Sequence, residues 1–521
     1  LIWMLGALLG LMVPWTLMPL AMTFVLLAAT GFASRALARV LLNDSAATLA
    51  GCAAIFSGYA LSTAYLRAAY AELSGGFWIP LLLLYALRSR KWDLQRVTIF
   101  RRAFHGSALP LALIVAGAWL SNAPLGVMSC YLLACVALIS AIQSRSVAPI
   151  LRAAAATVLG IAATAVYLIP AIEEQSWVAI RHAVDDSGKR IEQNWIFERL
   201  NDPAIWWHDG EIWKASMVTV SMVGIALTCC LIAYRRGALG LDSQERRRWY
   251  LPLFLIPIVA LFLQFPISHF LWNELPKLRF LQFPWRWLIV VESPMAIFMA
   301  AAVWSFGSRW RPALIALCGM FFVFSIGLTM HSFFVACTLN RSLPSLLASY
   351  ASGQGIRGVP EYLPANTDPD LLAKDLLAPG LPASCLTNDL STPLKDLRCD
   401  QQFPLTAASG PGGHERFSLT GTSSHSGYLV LHVLGFPGWR ATVNGQETNL
   451  LPSRSDGLIA LPVPQGQIAV ELNWTTTSDV ILGRWISCVA FLLLGALWLT
   501  ERKLALAHLS SEGCLWNSNP T

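Results

Sequence analysis

The feature that most limits what this chain can fold into is a train of apolar runs, each near the length of a bilayer crossing, divided by short loops rich in arginine. A hydrocarbon core of about 30 Å takes roughly 20 apolar residues of helix to cross, and a shorter run is accommodated by local thinning of the bilayer or by snorkelling flanks. Runs of this kind occupy residues 16–33, 46–60, 77–87, 107–121, 125–141, 150–172, 217–233, 251–265, 288–306, 312–330 and 480–499. With 13% charged residues against the roughly 25% of an ordinary soluble domain, the chain reads as an α-helical polytopic membrane protein with about 11 to 12 transmembrane helices. The net charge of +7 is small for 521 residues and is gathered in the loops, where it sets orientation, so no nucleic-acid partner is expected.

Counting spans places every basic loop on one side. Arg35 and Arg39, then Arg88, Arg90, Lys91, Arg96, Arg101 and Arg102, then Arg145 and Arg152 all end inward-going or begin outward-going runs. The same holds for Arg235 and Arg236 with Arg246, Arg247 and Arg248, for Arg309 and Arg311, and for Arg502 with Lys503. The positive-inside rule makes this side cytoplasmic. Residues 1–330 then form a helical bundle with an outer loop at 173–215, residues 331–479 an extracytoplasmic domain, and residues 480–521 the last crossing and a cytoplasmic tail. Residues 1–13 are apolar but too short to cross, so they are either the tail of a helix that begins upstream or interfacial.

One outer stretch concentrates the chemistry. Residues 274–288, ELPKLRFLQFPWRWL, hold Lys277, Arg279 and Arg286 among four aromatic rings, Phe280, Phe283, Trp285 and Trp287, at the mouth of a span. A cation at mid-bilayer costs roughly 2.5 to 3.5 kcal/mol, so cations at this depth either snorkel to the interface or hold an anion. The arginine fork matches phosphate oxygens, and Gln282 and Trp285 stand beside it as further binding candidates. Interfacial anchoring by aromatic rings explains the same residues without a ligand.

Other outer positions join them. Arg67 and Glu72 flank a short segment before residues 77–87, five apart and so on neighbouring helical faces, either as a weak interfacial pair or facing a substrate. Glu173 and Glu174 end the run at 150–172, and Glu292 sits about one turn inside the run at 288–306. An acid within a membrane segment is a functional candidate by default. The Trp-rich stretch at 175–214 suits pieces lying in the headgroup plane.

In the polar region, the second half alternates in the manner of strands. Turn signals at Asn444 with Gly445, and at Gln465 with Gly466, predict a small β-sandwich ahead of the last span. Most of the 11 cysteines fall in apolar runs with no metal spacing, while Cys385 and Cys399 lie in the polar region, where a disulfide is open. No cofactor is assigned. Asp368 and Asp370 are interrupted by Pro369 and form a weak metal motif, and a divalent metal stays open.

Four pieces carry a resemblance that extends over nearly the whole chain: LRAAYAELSGGFWIPL around Arg67 and Glu72, YLIPAIEE ending at Glu174, LRFLQFPWRWL at 278–288, and GFPGWRATVNGQ at 435–446. Together they resemble the bacterial YfhO-like multispanning proteins, also labelled as related to 6-pyruvoyl-tetrahydropterin synthase, although no histidine cluster for zinc supports the pterin part of that label. Such proteins are similar to GT-C glycosyltransferases. The resemblance implies transfer of a sugar from a polyprenyl-phosphate donor to a saccharide or glycolipid acceptor, at the outer face of the bacterial inner membrane. It also implies a catalytic carboxylate in an outer loop after the first helix, expected upstream of Leu1. On this reading Arg67, Arg279 and Arg286 hold the phosphate with Lys277 behind them, Glu72 orients Arg67 or acts on the acceptor, and Glu173 or Glu174 lines the cavity. A flippase for lipid-linked saccharide and a non-catalytic assembly protein for envelope polysaccharide remain as alternatives.

Overall fold

In the computed structural model, residues 1–88, 108–333, 360–368, 371, 384–394, 396–409, 415–450 and 454–516 are described. Arg90, Lys91, Arg96, Arg101, Arg102 and Asp370 lie outside them. The chain forms two compact units, one made of Leu1–Ala165, Ser187–Ala336 and Trp485–Thr521, the other of Val166–Asp186 and Cys337–Arg484.

The first unit is helical. Among the described residues, six helices are long and apolar enough to cross a bilayer: Trp15–Ala38, Tyr70–Leu87, Ala123–Ser144, Pro203–Arg235, Arg311–His331 and Ser478–Thr500. Four bent pairs raise the number of candidate spans to as many as ten: Asp44–Ile55 with Gly58–Tyr65, Ala148–Ala163 with Ala165–Trp177, Gln244–Phe262 with Pro266–Glu274, and Pro284–Val290 with Glu292–Trp304. This is the helical architecture of a multi-pass membrane protein. The expected short run at 107–121 is the single helix Ala108–Ser121.

Local sequence explains the breaks. Asn43, Ser57 and Asn122 each accept a backbone N–H three residues on, at Ala46, Ala60 and Leu125, and so start helices at those points. Pro266 opens a new turn after Phe262, and the pair that it begins is bent by 100°. Pro284 opens a 3-10 stretch over Pro284–Val290, so the α-helix expected from residue 288 begins only at Glu292. Helices meet through glycine: a Cβ added at Gly160 would lie 2.8 Å from the Ala112 carbonyl oxygen, so a side chain there would push two helices apart. The helix Glu292–Trp304 is buried along nearly its whole length and is the centre of the bundle's apolar core.

Among its described residues the second unit carries eight strands. β1 (Ser384–Thr387), β4 (Gly427–Leu434) and β7 (Leu458–Val463) form a sheet in the order β1-β4-β7. β2 (Thr406–Ser409), β3 (Glu415–Ser423), β5 (Trp439–Val443), β6 (Gln446–Thr448) and β8 (Gly466–Trp474) form the other, in the order β2-β3-β8-β5-β6. All pairs are antiparallel. The Asn444–Gly445 turn closes the β5–β6 hairpin with both residues at positive φ, 51° and 78°, as a type I′ turn requires. The turn at Gly466 does something else: β7 pairs with β4, and β8 pairs with β3 and β5, so the chain changes sheets there. Pro464 supplies no N–H for a ladder across that turn.

Side chains of both sheets share one apolar cluster, with Leu429, Leu431, Ile459 and Leu461 from the first and Leu419, Val443, Val470 and Leu472 from the second. The alternate residues of β4 and β7, Val430, Leu458 and Ala460, enter a second cluster with Cys385 and Leu394, so the three-stranded sheet is covered on both faces. Cys385 and Cys399 are joined by a disulfide across 14 residues. A loop of that size constrains the unfolded chain by about 3 kcal/mol, so Cys385→Ser with Cys399→Ser should speed amide exchange in β1 accordingly, as read by mass spectrometry.

Beside it, Asp456 is buried against Arg454. Burial alone would raise the carboxyl, but Arg454 bonds at 3.0 and 2.7 Å and the Leu394 and Leu458 amides outweigh it and hold the carboxyl below the usual Asp range. A lowered folded pKa stabilises above the unfolded value of about 3.9, and the contribution is lost as pH falls through the lower folded one. Exchange in β7 should therefore accelerate below about pH 4, and Asp456→Asn should flatten that step.

Candidate functional site

Within the first unit, two arginines converge on one buried carboxylate. Glu72, on the short helix Tyr70–Leu73, has a side chain only 4% exposed. Arg67 grips it with both terminal nitrogens, Nη1 to Oε1 at 2.7 Å and Nη2 to Oε2 at 3.0 Å. The expected neighbouring-face geometry does not hold, because the chain leaves the helix after Tyr65 and passes Ala68 at φ 46°. That left-handed residue swings the guanidinium back over the carboxylate.

Arg286 reaches the same group from residues more than two hundred positions away. Its Nε lies 3.3 Å from Glu72 Oε2 and its Nη1 donates to the Leu281 carbonyl at 2.8 Å, while its side chain is 13% exposed. The guanidinium also covers the Phe283 ring at 5.1 Å, and Phe283 stacks on Trp285 at 4.6 Å. Tyr59 completes the cluster by donating its hydroxyl to Glu72 Oε1. Two guanidiniums thus share one carboxylate, and the cluster holds one positive charge in excess.

A small cleft of about 60 Å³ opens onto this cluster, lined by Tyr59, Ser62, Arg67, Glu211, Lys214 and Trp285 among others. Lys214 Nζ lies 3.1 Å from Glu211 Oε1. Lys214 and Val218 also line a second cavity of about 610 Å³, whose walls are apolar and include Phe56, Met217, Met222, Met295 and Phe322. A cationic cleft therefore adjoins a largely apolar hollow.

The other candidates fall elsewhere. Arg279, 45% exposed, pairs with Glu192, which His269 Nε2 also meets at 3.0 Å, so this arginine belongs to a separate surface group. Lys277 is exposed and lies over the Phe280 ring at 4.9 Å. Gln282 and Lys277 sit at φ 63° and 62°, at the two ends of the 3-10 turn Leu278–Leu281. Glu292 is buried, opens its helix, and accepts from Ser57 Oγ at 2.8 Å rather than pairing with Arg286. Its position in the first turn places a carboxylate where the helix dipole favours one. Glu173 and Glu174 belong to the second unit, where Glu173 is exposed and Glu174 lies 3.4 Å from Thr477 Oγ1.

Tyr59, Glu211 and Lys214 were not singled out from sequence. For Lys214 a signal exists, since a lysine one turn before an apolar run and three after a glutamate is another cation at the membrane boundary. Among the described residues, no three His, Cys, Asp or Glu side chains gather as a metal would need. No family model, curated protein or solved structure matches the chain.

Proposed function

We propose that this chain is a membrane glycosyltransferase of GT-C type that takes its sugar from a polyprenyl-phosphate donor at the extracytoplasmic face of the bacterial inner membrane. One observation carries the reading: two partly buried guanidiniums share a single buried carboxylate beside a cleft that adjoins an apolar hollow. A polyprenyl phosphate has that same division into an anionic head and a long apolar tail.

In the transfer, an acceptor hydroxyl oxygen attacks the anomeric carbon, the bond from that carbon to phosphate oxygen breaks, and the phosphate leaves with the electron pair. The hydroxyl proton passes to a general base. Charge grows on the leaving phosphate, and Arg67 and Arg286, already held in place, offset it without reorganising. Both Glu72 oxygens are occupied by donors, which suits it to positioning Arg67 and Arg286 and not to taking the acceptor proton. Trp285 and Lys214 edge the site, and Arg279 lies outside it. The finer architecture belongs to this reading: about 11 to 12 spans, a β-sandwich outside the membrane and a cytoplasmic C-terminus.

The test uses proteoliposomes carrying polyprenyl-phosphate donor labelled in the sugar, with envelope glycolipids as acceptor. Label on the acceptor is the expected result. Label crossing the bilayer on intact donor, with no product, would mean a flippase and would overturn the proposal.

A further inference from the structure

The transfer described above creates charge that the Arg67 and Arg286 cluster does not take up. A polyprenyl-phosphate sugar is a phosphodiester with one negative charge, and the cluster's single excess positive charge matches it. The departing polyprenyl phosphate is a monoester, whose second ionisation at roughly pH 6 brings it to about −1.5 to −2 at neutral pH. Transfer therefore adds a negative charge to the phosphate and releases a proton from the acceptor hydroxyl. Glu72 is closed to that proton, because Arg67 and Tyr59 hold its oxygens.

The cleft beside the cluster holds a group for each. Among the described residues that line it, Glu211 is the one carboxylate, and Lys214, one turn further along the helix Trp206–Arg235, is a cation beside Arg67. Lys214 Nζ lies 3.1 Å from Glu211 Oε1, with the two side chains 38% and 35% exposed. An ion pair this open to water is weak and screened, so the lysine changes partners at little cost. Lys214 also stands where the cleft meets the apolar hollow, a place that it shares only with Val218 among the described lining residues. In a ligand with its head in the cleft and its tail in the hollow, the group at that join is the phosphate.

We propose that Glu211 and Lys214 work as a pair that takes both charges: Glu211 accepts the acceptor's hydroxyl proton, and Lys214, released by the neutralised carboxyl, moves to the leaving phosphate. This rests on the sugar-transfer reading of the site. The acceptor oxygen joins the anomeric carbon, the bond from that carbon to phosphate breaks with its electron pair on the phosphate oxygen, and the proton goes to Glu211. The phosphate gains one negative charge as Glu211 loses one, so the net charge of the cleft is unchanged. Lys214 has an anion beside it before the step and after it, and its second anion is the one that forms in the transition state.

The experiment compares three ligands with one tail in binding to the purified full chain: polyprenol, the singly charged methyl ester of polyprenyl phosphate, and polyprenyl phosphate as its dianion. Wild type should bind the dianion about tenfold more tightly than the methyl ester, the scale of one charge-assisted hydrogen bond. Lys214→Met should remove that preference and Lys214→Arg should restore it, while both phosphates still bind ahead of the alcohol through Arg67 and Arg286. Glu211→Gln should keep or widen the preference, since it neutralises the carboxyl as the proton does, and should lower sugar transfer by about 10² to 10⁴. Equal binding of dianion and methyl ester to wild type, both ahead of the alcohol, would overturn the pair and leave the carrier reading standing. So would undiminished transfer in Glu211→Gln, or a preference that survives Lys214→Met. No advantage of either phosphate over the alcohol would overturn both.

Discussion

Replacing Glu72 with glutamine is expected to destabilise the helical unit by about 3 to 5 kcal/mol, the range for removing one partner of a buried ion pair. The reason lies in the count of charges. Glu72 is the carboxylate between Arg67 and Arg286, and without it two largely buried guanidiniums face each other with no anion between them. Like charges a few ångströms apart in a poorly screened site repel by several kcal/mol. Thermal unfolding of the purified chain, followed by tryptophan fluorescence, should show the loss. The companion experiment separates charge from packing. Removing all three charges together, as Arg67→Met, Glu72→Gln and Arg286→Leu, should recover most of the lost stability, because buried ionic groups are seldom worth more than apolar ones of the same volume. A triple variant as unstable as the single one would show that Glu72 matters through its shape.

Arg286→Gln should behave in the opposite manner, keeping the fold and losing the proposed sugar transfer. After this change Arg67 still grips Glu72 with two bonds, so the remaining pair is neutral and satisfied. What disappears is the excess positive charge beside the cleft. Removing one preorganised donor to a developing negative charge lowers turnover by about 10² to 10³, and sugar transfer should fall by that much while the melting temperature moves little. Arg279→Ala should leave transfer nearly unchanged, since that arginine is exposed and paired with Glu192. Loss of transfer in Arg279→Ala with normal transfer in Arg286→Gln would move the phosphate site to the surface group.

Much of the helical layout was legible because hydropathy over about twenty residues is a sum of many weak terms that all point the same way. The runs at 16–33, 125–141, 312–330 and 480–499 each correspond to one long helix. Where helices break was harder to read. Pro266 and Pro284 mark breaks, but whether a proline bends a span or starts a new one depends on which neighbours satisfy the freed carbonyls. The sheets show the same division: local alternation and the Asn444–Gly445 turn predicted the β5–β6 hairpin, whereas the change of sheet after β7 depends on partners distant in sequence.

The site was half visible. Arg67, Glu72 and Arg286 stood out because charge at the edge of an apolar segment is costly and needs a reason, and Trp285 because it stands beside Arg286. Their convergence did not stand out, because it depends on the left-handed turn at Ala68, and nothing about an alanine announces a positive φ. Arg279 looked equivalent to Arg286 from seven residues away, and only the position of Glu192 separates them. Tyr59 was invisible for a simpler reason: a tyrosine in an apolar helix is usually core.

The most direct measurement of the central claim compares polyprenyl phosphate with the matching polyprenol in binding to the purified chain. The two share a tail and differ only in the group that Arg67 and Arg286 would hold. Wild type should bind the phosphate at least about tenfold more tightly, and Arg286→Gln should erase most of that difference. Equal affinity of wild type for phosphate and alcohol would contradict the account.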